Sequence, residues 1–361
     1  MGNLVTYQVR KGVAILTINH PPVNALGADL RKKLMRRVER AEGDPAVRAI
    51  VIRAAGRTFP VGADVREFGL VPQPPLLPAL CDRIEAAQKP VVVAIHGNAL
   101  GGGLEIALAG HYRIADARAR LGLPEVLLGI LPGAGGTQRT PRLTGARPAL
   151  DMMLSGKPIS AQQALKIGLI DRISGDDLAK EATAWAHELA EAGAPPRRSR
   201  DQRVGFADPD AYLKATAERR QSLQNNRLPA PARIVECVEA ALLTPFDTGL
   251  AMERAAFEDC VTSDEAAALR HAFFAERLVG KVPELERATA RDVDQVGVVG
   301  AGLMGAGIAL VCLDAGLAVT LVERNQEALE AGLARIEKLY ARAVTKGLLG
   351  EKQMAERMGR L

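Results

Sequence analysis

The sequence predicts an α/β protein of about two domains, and three observations carry that expectation. Strand and helix signals alternate over roughly the first 190 residues. Helices with almost no strand signal then run from Asp208 to Glu286. From Asp294 the pattern changes to strand, glycine loop and helix. A chain of 361 residues that is 48% hydrophobic and 25% charged can bury more than one core, which excludes a disordered, collagenous or disulfide-built chain. Aromatic residues make up only 3%, leaving little for stacking on single-stranded nucleic acid, so no nucleic-acid partner is expected. The net charge of +5 suits a small anionic ligand as well as it suits solubility. Cys81, Cys237, Cys260 and Cys312 are scattered without a C-x-x-C spacing. Neither a disulfide framework nor a metal site is expected, and a reducing compartment is the simplest reading.

Taken in order, Val5–Val9 and Val13–Ile18 flank a Lys11-Gly12 turn and read as a hairpin. Leu30, Leu34, Met35, Val38 and Ala41 form one apolar stripe at helical spacing, with basic residues opposite. Ala49–Ile52 and Val91–Ile95 are β-branched runs of buried-strand type. Ser160 and Gln163 form a capping box, Gly168 ends that helix, and Leu169–Ile173 reads as a further strand. The Pro- and Arg-rich run 194–203 reads as a linker or as a basic anion-binding patch. Thr262 and Glu265 suggest a second capping box, ahead of Leu269, Ala272 and Phe273. The expected division is 1–193, 194–291 and 292–361.

Two stretches carry chemistry in the first part. In Val91–Gly110 a buried strand runs through Gly101, Gly102 and Gly103 into a helix. The missing Cβ atoms admit a ligand to the backbone, and free amides at a helix start can hold a developing oxyanion. Arg57–Phe68 offers a second exposed amide next to Gly62; two such amides from separate loops would form an oxyanion hole. Glu105 and Glu125, the latter ahead of a glycine-rich run at 129–139, could divide acid and base roles. Alternatively, Glu105 complements its helix start and the glycine run is a plain loop. His96 reads as a packed strand histidine, because no serine or cysteine stands at triad spacing.

The segments 21–27, 59–68, 99–115, 123–139 and 155–171 together resemble the crotonase, or enoyl-CoA hydratase/isomerase, superfamily. The resemblance implies a crotonase fold of repeated ββα units around an acyl-CoA thioester. It also implies oxyanion amides at Ala63 and Gly102, with Gly133 beside the water site. Glu105 matches the residue that activates water, and Glu125 the one that delivers or removes the α-proton. Keeping both glutamates favours a lyase that hydrates 2-enoyl-CoA, with isomerase activity through Glu125; hydration needs no cofactor. The Val71–Pro78 loop would shape acyl-chain specificity, or is a surface loop. A non-catalytic acyl-CoA or NAD binder, or another crotonase-fold acyl-CoA reaction, is the alternative.

The last part reads independently. The uncharged run Val296–Leu313 is long enough to raise the question of a membrane span, but a dinucleotide fingerprint accounts for it better. A strand leads into Gly300-x-Gly302-x-x-Gly305, a helix follows, and a second strand ends in Glu323, a ribose 2′-OH acceptor that favours NAD. The order of parts, with the 271–277 motif HAFFAER, resembles the peroxisomal multifunctional enzyme type 1 and bacterial fatty-acid oxidation complex alpha-subunit families of β-oxidation. Their pattern implies a helical linker at 194–291 and the first β-α-β-α part of a Rossmann domain at 292–361, belonging to an NAD-dependent 3-hydroxyacyl-CoA dehydrogenase. No position matches that oxidoreductase's catalytic residues, so the chain reads as the front of a longer protein and no dehydrogenase activity is expected of it. A linker helix folding back would bring Phe273, Phe274 and Lys281 toward coenzyme A, or Phe273 and Phe274 make a plain helix contact. Such a helix would also favour a monomer. No membrane partner is expected, and the compartment would be the cytoplasm of a bacterium or the peroxisome of a eukaryote.

Overall fold

A computed structural model describes residues 4–67, 71–279, 282, 285, 288, 289 and 291–361. By proximity the chain divides into two compact units, Met1–Gly280 and Lys281–Leu361.

The first unit opens with the antiparallel hairpin β1 (Val5–Arg10) and β2 (Val13–Ile18). Lys11 and Gly12 both have positive φ, +49° and +79°, which lets the turn follow the twist of its strands. Helix α1 (Ala28–Gly43) buries Leu30, Leu34, Val38 and Ala41, the stripe expected from spacing. Then come β3 (Ala49–Ala54), α2 (Leu77–Glu85), β4 (Val91–Ile95), β5 (Asn98–Leu100), α3 (Gly102–Ala109), β6 (Tyr112–Asp116) and β7 (Arg120–Gly122). After them follow α4 (Gly136–Thr144), α5 (Ala146–Ser155), β8 (Ile159–Ser160), α6 (Ala161–Lys166), β9 (Arg172–Ser174) and α7 (Leu178–Glu191).

The main sheet has strand order β1-β2-β3-β4-β6-β9, parallel from β2 onward, and β5-β7-β8 form a small second sheet. One face of the main sheet is closed by α7 through Ala182, Trp185 and Ala186. The other face carries the larger core, to which α1, α2 and α3 contribute. All eight residues of α3 are buried, as an apolar helix without a polar face requires.

The helical stretch adds α8 (Pro209–Ser222), α9 (Pro229–Leu243), α10 (Phe246–Val261) and α11 (Asp264–Val279) to this unit. Helix α9 packs on α4, α5, α8 and α10, and α11 packs on the 3-10 turn Glu125–Leu128.

Three local expectations are corrected. The last strand is Arg172–Ser174 rather than Leu169–Ile173. Gly168, at φ +76°, turns the chain so that Leu169 N bonds back to Ala164 O at 2.9 Å, and the Leu169 side chain enters the core. Thr262 does not cap α11. Its hydroxyl donates to Glu258 O at 3.0 Å, and Ser263 Oγ accepts from Ala266 N at 3.2 Å instead. His96 stands just past β4, half-buried, with Nε2 3.0 Å from Gly56 O.

In the second unit, β10 (Gln295–Val299) pairs in parallel with β11 (Ala318–Val322) around α12 (Leu303–Asp314), followed by α13 (Gln326–Thr345). Read from sequence as a polar tail, the remainder contains α14 (Glu351–Met358). Its Met354 and Met358 pack against the core of Val298, Ala309, Leu313 and Ile336. Arg357 and Tyr340 share Asp314 Oδ1, at 2.6 and 2.9 Å, which ties this helix to α12 and α13. Among the described residues no helix is long and apolar enough to cross a membrane.

Candidate active site

The chain between β5 and α3 runs hard against the loop of residues 57–63. A Cβ on Gly103 would stand 1.8 Å from Pro60 O, so only glycine allows that approach. The amide nitrogen of Ala63 lies 3.4 Å from the point a Cβ on Gly102 would occupy. Ala63 is held there by its bridge to Leu26, whose N–H donates to Gly62 O at 3.0 Å. Among the described residues no carbonyl accepts the amide of either Ala63 or Gly102. Two residues distant in sequence, each with an amide that no carbonyl accepts among the described residues, thus line the same cleft.

Glu105 projects from the first turn of α3 and is 2% exposed. Its Oε1 accepts the amides of Ala134 at 2.7 Å and Gly136 at 2.9 Å. Burial raises its proton affinity, and those two amides with Arg139 oppose the rise. Glu125 begins a 3-10 turn, and its Oε2 is buried without a hydrogen-bond partner among the described residues. Burial first, then the charge of Glu105, pushes its carboxyl well above the usual range. The segment carrying those amides is anchored by Arg139. This buried residue donates to Ala134 O at 2.9 Å and pairs with Glu85 at 2.7 Å and Asp82 at 3.1 Å.

Glu105, Glu125, Ala63, Gly102 and Gly133 all line one cleft of about 1070 Å³. Apolar walls come from Leu77, Leu128, Ile130, Phe257 and Val261, and Val71–Gln73 with Leu76–Pro78 add a further stretch of wall. Arg31, Arg254 and Arg270 supply cationic lining. Phe273 and Phe274 are not brought to it. They stack edge to face at 5.6 Å farther along α11, with the Arg277 guanidinium 3.7 Å above the Phe273 ring. Lys281 lies outside the described residues.

A further buried carboxylate, Glu253 on α10, escaped the sequence reading. It accepts Gly135 N at 2.6 Å, Thr137 N at 2.9 Å and the Thr137 hydroxyl at 2.5 Å. A signal was present: the buried stripe of α10 is Phe246, Gly249, Glu253, Ala256 and Cys260, so one acid sits in a helix's apolar row. Arg254 and Arg270 were missed as well, since a cation on an exposed-looking helix carries no distinguishing spacing.

In the second unit the glycine turn divides its labour. Gly300 has φ +93°, and a Cβ on Gly305 would sit 1.7 Å from Gly300 O, so helix and strand close together there. A Cβ on Gly302 would meet nothing within 4 Å, an open approach to the backbone of the kind a pyrophosphate needs. Glu323 follows β11 directly and is half-buried, at the place of a ribose acceptor. These residues fit a dinucleotide.

Comparison with known proteins agrees. The family described as "Enoyl-CoA hydratase/isomerase" matches residues 8–201, and "3-hydroxyacyl-CoA dehydrogenase, NAD binding domain" matches 295–361. A "Peroxisomal bifunctional enzyme" of Danio rerio is 41% identical over 333 residues, which is 90% of this chain and 46% of that protein. A "Peroxisomal fatty acid beta-oxidation multifunctional protein" of Arabidopsis thaliana is 37% identical over 96% of this chain and 50% of its own length. The chain thus spans about half the length of the curated relatives it matches. Among solved structures, the carnitinyl-CoA hydratase of Mycobacterium avium superposes with a TM-score of 0.57 at 27% identity, covering 76% of this chain and 97% of that one. With more than half of its 361 residues matched, the chain belongs to the enoyl-CoA hydratase/isomerase family.

Proposed function

We propose that the cleft hydrates 2-enoyl-CoA to 3-hydroxyacyl-CoA in fatty-acid β-oxidation, and also moves the double bond of 3-enoyl-CoA. The observation that carries this reading is the unequal solvation of two glutamates in the cleft that also holds the Ala63 and Gly102 amides. Glu105 has two amide donors and a nearby guanidinium, which favour its anion. Glu125 has a buried, unpartnered oxygen, which favours its acid.

Roles follow. The thioester oxygen accepts both amides, and each donor contributes about 3 kcal/mol as negative charge develops there. Glu105 takes a proton from water, held beside Gly133, as the water oxygen bonds to C3. The C2=C3 electrons pass to the enolate, and Glu125 gives its proton to C2. Glu105 ends protonated and Glu125 ionised, and solvent exchange restores both. In isomerisation Glu125 starts from its ionised form, removes the C2 proton and returns it at C4. No cofactor takes part in either reaction.

The second unit supports a place in a longer NAD-dependent 3-hydroxyacyl-CoA dehydrogenase, whose substrate would be the first reaction's product. Gly300, Gly302 and Gly305 would face the pyrophosphate and Glu323 the ribose; bound NAD supplies a hydride acceptor. Within one chain, α9 covers α4 and α5 while α11 covers the Glu125 turn, which supports a monomer. The relatives' names support a peroxisomal compartment for a eukaryotic source, while a bacterial source would place the chain in the cytoplasm.

Loss of the conjugated thioester's absorbance on adding crotonyl-CoA tests the reading. Turnover is expected from the wild-type chain, with a fall of at least about a hundredfold in Glu105→Gln and Glu125→Gln. Tight coenzyme A binding without turnover would replace it with a non-catalytic binder.

A further inference from the structure

Four consecutive amides at the start of α4 are shared between two carboxylates. Ala134 and Gly136 donate to Glu105, while Gly135 and Thr137 donate to Glu253. Successive amides in this turn point to opposite sides, so the turn is clamped between α3 and α10. Glu253 is 1% exposed and is not among the residues lining the cleft, so it has no access to substrate. Its partners are as buried as it is. The Thr137 hydroxyl that donates to it receives Gln138 Nε2 at 3.0 Å, and that nitrogen also reaches Cys237 O on α9 at 2.8 Å.

We infer that Glu253 is a positioning residue for hydration: by holding Gly135 and Thr137 it fixes the amides that orient Glu105. The inference rests on the hydratase reading above. The titratable and charged groups that face Glu253 are Glu105 on α3, Cys237 on α9 and Glu125 across the cleft, while Arg139 on α4 faces Glu105. Burial and the charge of Glu105 push the Glu253 carboxyl up to about 8, so the clamp works through its two acceptor oxygens rather than through a negative charge. Helix α10 therefore completes the site although it lies outside the 8–201 stretch that matches the hydratase family.

The test is steady-state hydration of crotonyl-CoA by the full chain. In Glu253→Gln one acceptor oxygen becomes an NH2 that meets an amide donor. Expected is a roughly ten- to hundredfold fall in kcat with KM little changed, as for a small misplacement of a catalytic group. Thr137→Val should lower kcat in the same way, and Thr137→Ser should restore it. An unchanged kcat in Glu253→Gln would overturn the inference. So would an unchanged kcat in Thr137→Val, the variant that decides the matter if the glutamine form does not fold. Absence of turnover in the wild-type chain would instead count against the hydratase reading. Amide hydrogen exchange then decides: faster exchange at Ala134 and Gly136 in Glu253→Gln supports the clamp, and unchanged exchange overturns it.

Discussion

Replacing Glu105 by glutamine separates chemistry from architecture at this site. In the folded chain one carboxylate oxygen accepts Ala134 N at 2.7 Å and Gly136 N at 2.9 Å. A glutamine can offer its carbonyl oxygen to both amides and turn its NH2 toward the position of the second oxygen, so neither buried donor is orphaned. Two charge-assisted bonds become neutral ones, costing about 1 kcal/mol each, and relief from burying a charge offsets part of that. A net change of about 1–2 kcal/mol in a protein of this size moves Tm by only a few degrees. Loss of the general base should lower kcat by about 10²–10⁴, or roughly 3–5 kcal/mol of barrier. The assay is disappearance of the conjugated thioester from crotonyl-CoA, run beside deuterium uptake at C2 of butyryl-CoA in heavy water. That exchange needs Glu125 and the oxyanion donors but not Glu105, so Glu105→Gln should keep it and Glu125→Gln should lose it. Hydration within tenfold of wild type in Glu105→Gln, or loss of C2 exchange together with hydration, would refute the division of roles.

Neighbouring glycines should respond differently. Gly102→Ala meets only the movable end of Leu77, at 2.5 Å, but crowds the Ala63 amide. It should fold with near-normal Tm and lose at least about tenfold in kcat. Gly103→Ala drives a Cβ into Pro60 O at 1.8 Å and should cost more than about 3 kcal/mol in denaturant unfolding. In the second unit, Gly305→Ala collides with Gly300 O at 1.7 Å while Gly302→Ala meets nothing within 4 Å. Limited proteolysis of residues 292–361 should therefore quicken in the former variant and not in the latter. Thermal stability should fall with pH. The folded chain binds protons more tightly than the unfolded one at Glu105, Glu125 and Glu253, the last raised from 4.5 to about 8 by burial and the charge of Glu105. That contribution is complete below the ordinary carboxyl value and is lost as pH rises toward 8, so Tm should decline over that window, and less steeply in Glu253→Gln.

Local patterns revealed most of the architecture. The Lys11-Gly12 hairpin, the α1 stripe, the Ser160–Gln163 capping box and the glycine turn after β10 each depend on neighbours a few residues apart. The errors share a cause. Leu169 looked like strand because it is apolar, but its side chain is spent on core packing after the Gly168 turn. Thr262 had capping-box spacing, yet its hydroxyl found a carbonyl of the preceding helix first. The 351–358 segment looked polar because its few methionines matter only once α12 and α13 are in place.

Fold class, the family's motifs and the dinucleotide turn were thus already written in the order of residues, since glycine conformation, capping and apolar periodicity act over short range. Tertiary structure alone decided which groups meet. It set the Ala63 amide against Gly102, gave Glu105 two amides from a segment beyond β7, and brought Glu253 from α10 to the other side of that segment. It also decided which glutamate is pushed further above the usual carboxyl range, because that depends on burial and on the donors left over after packing, and neither exists until the chain has closed around them.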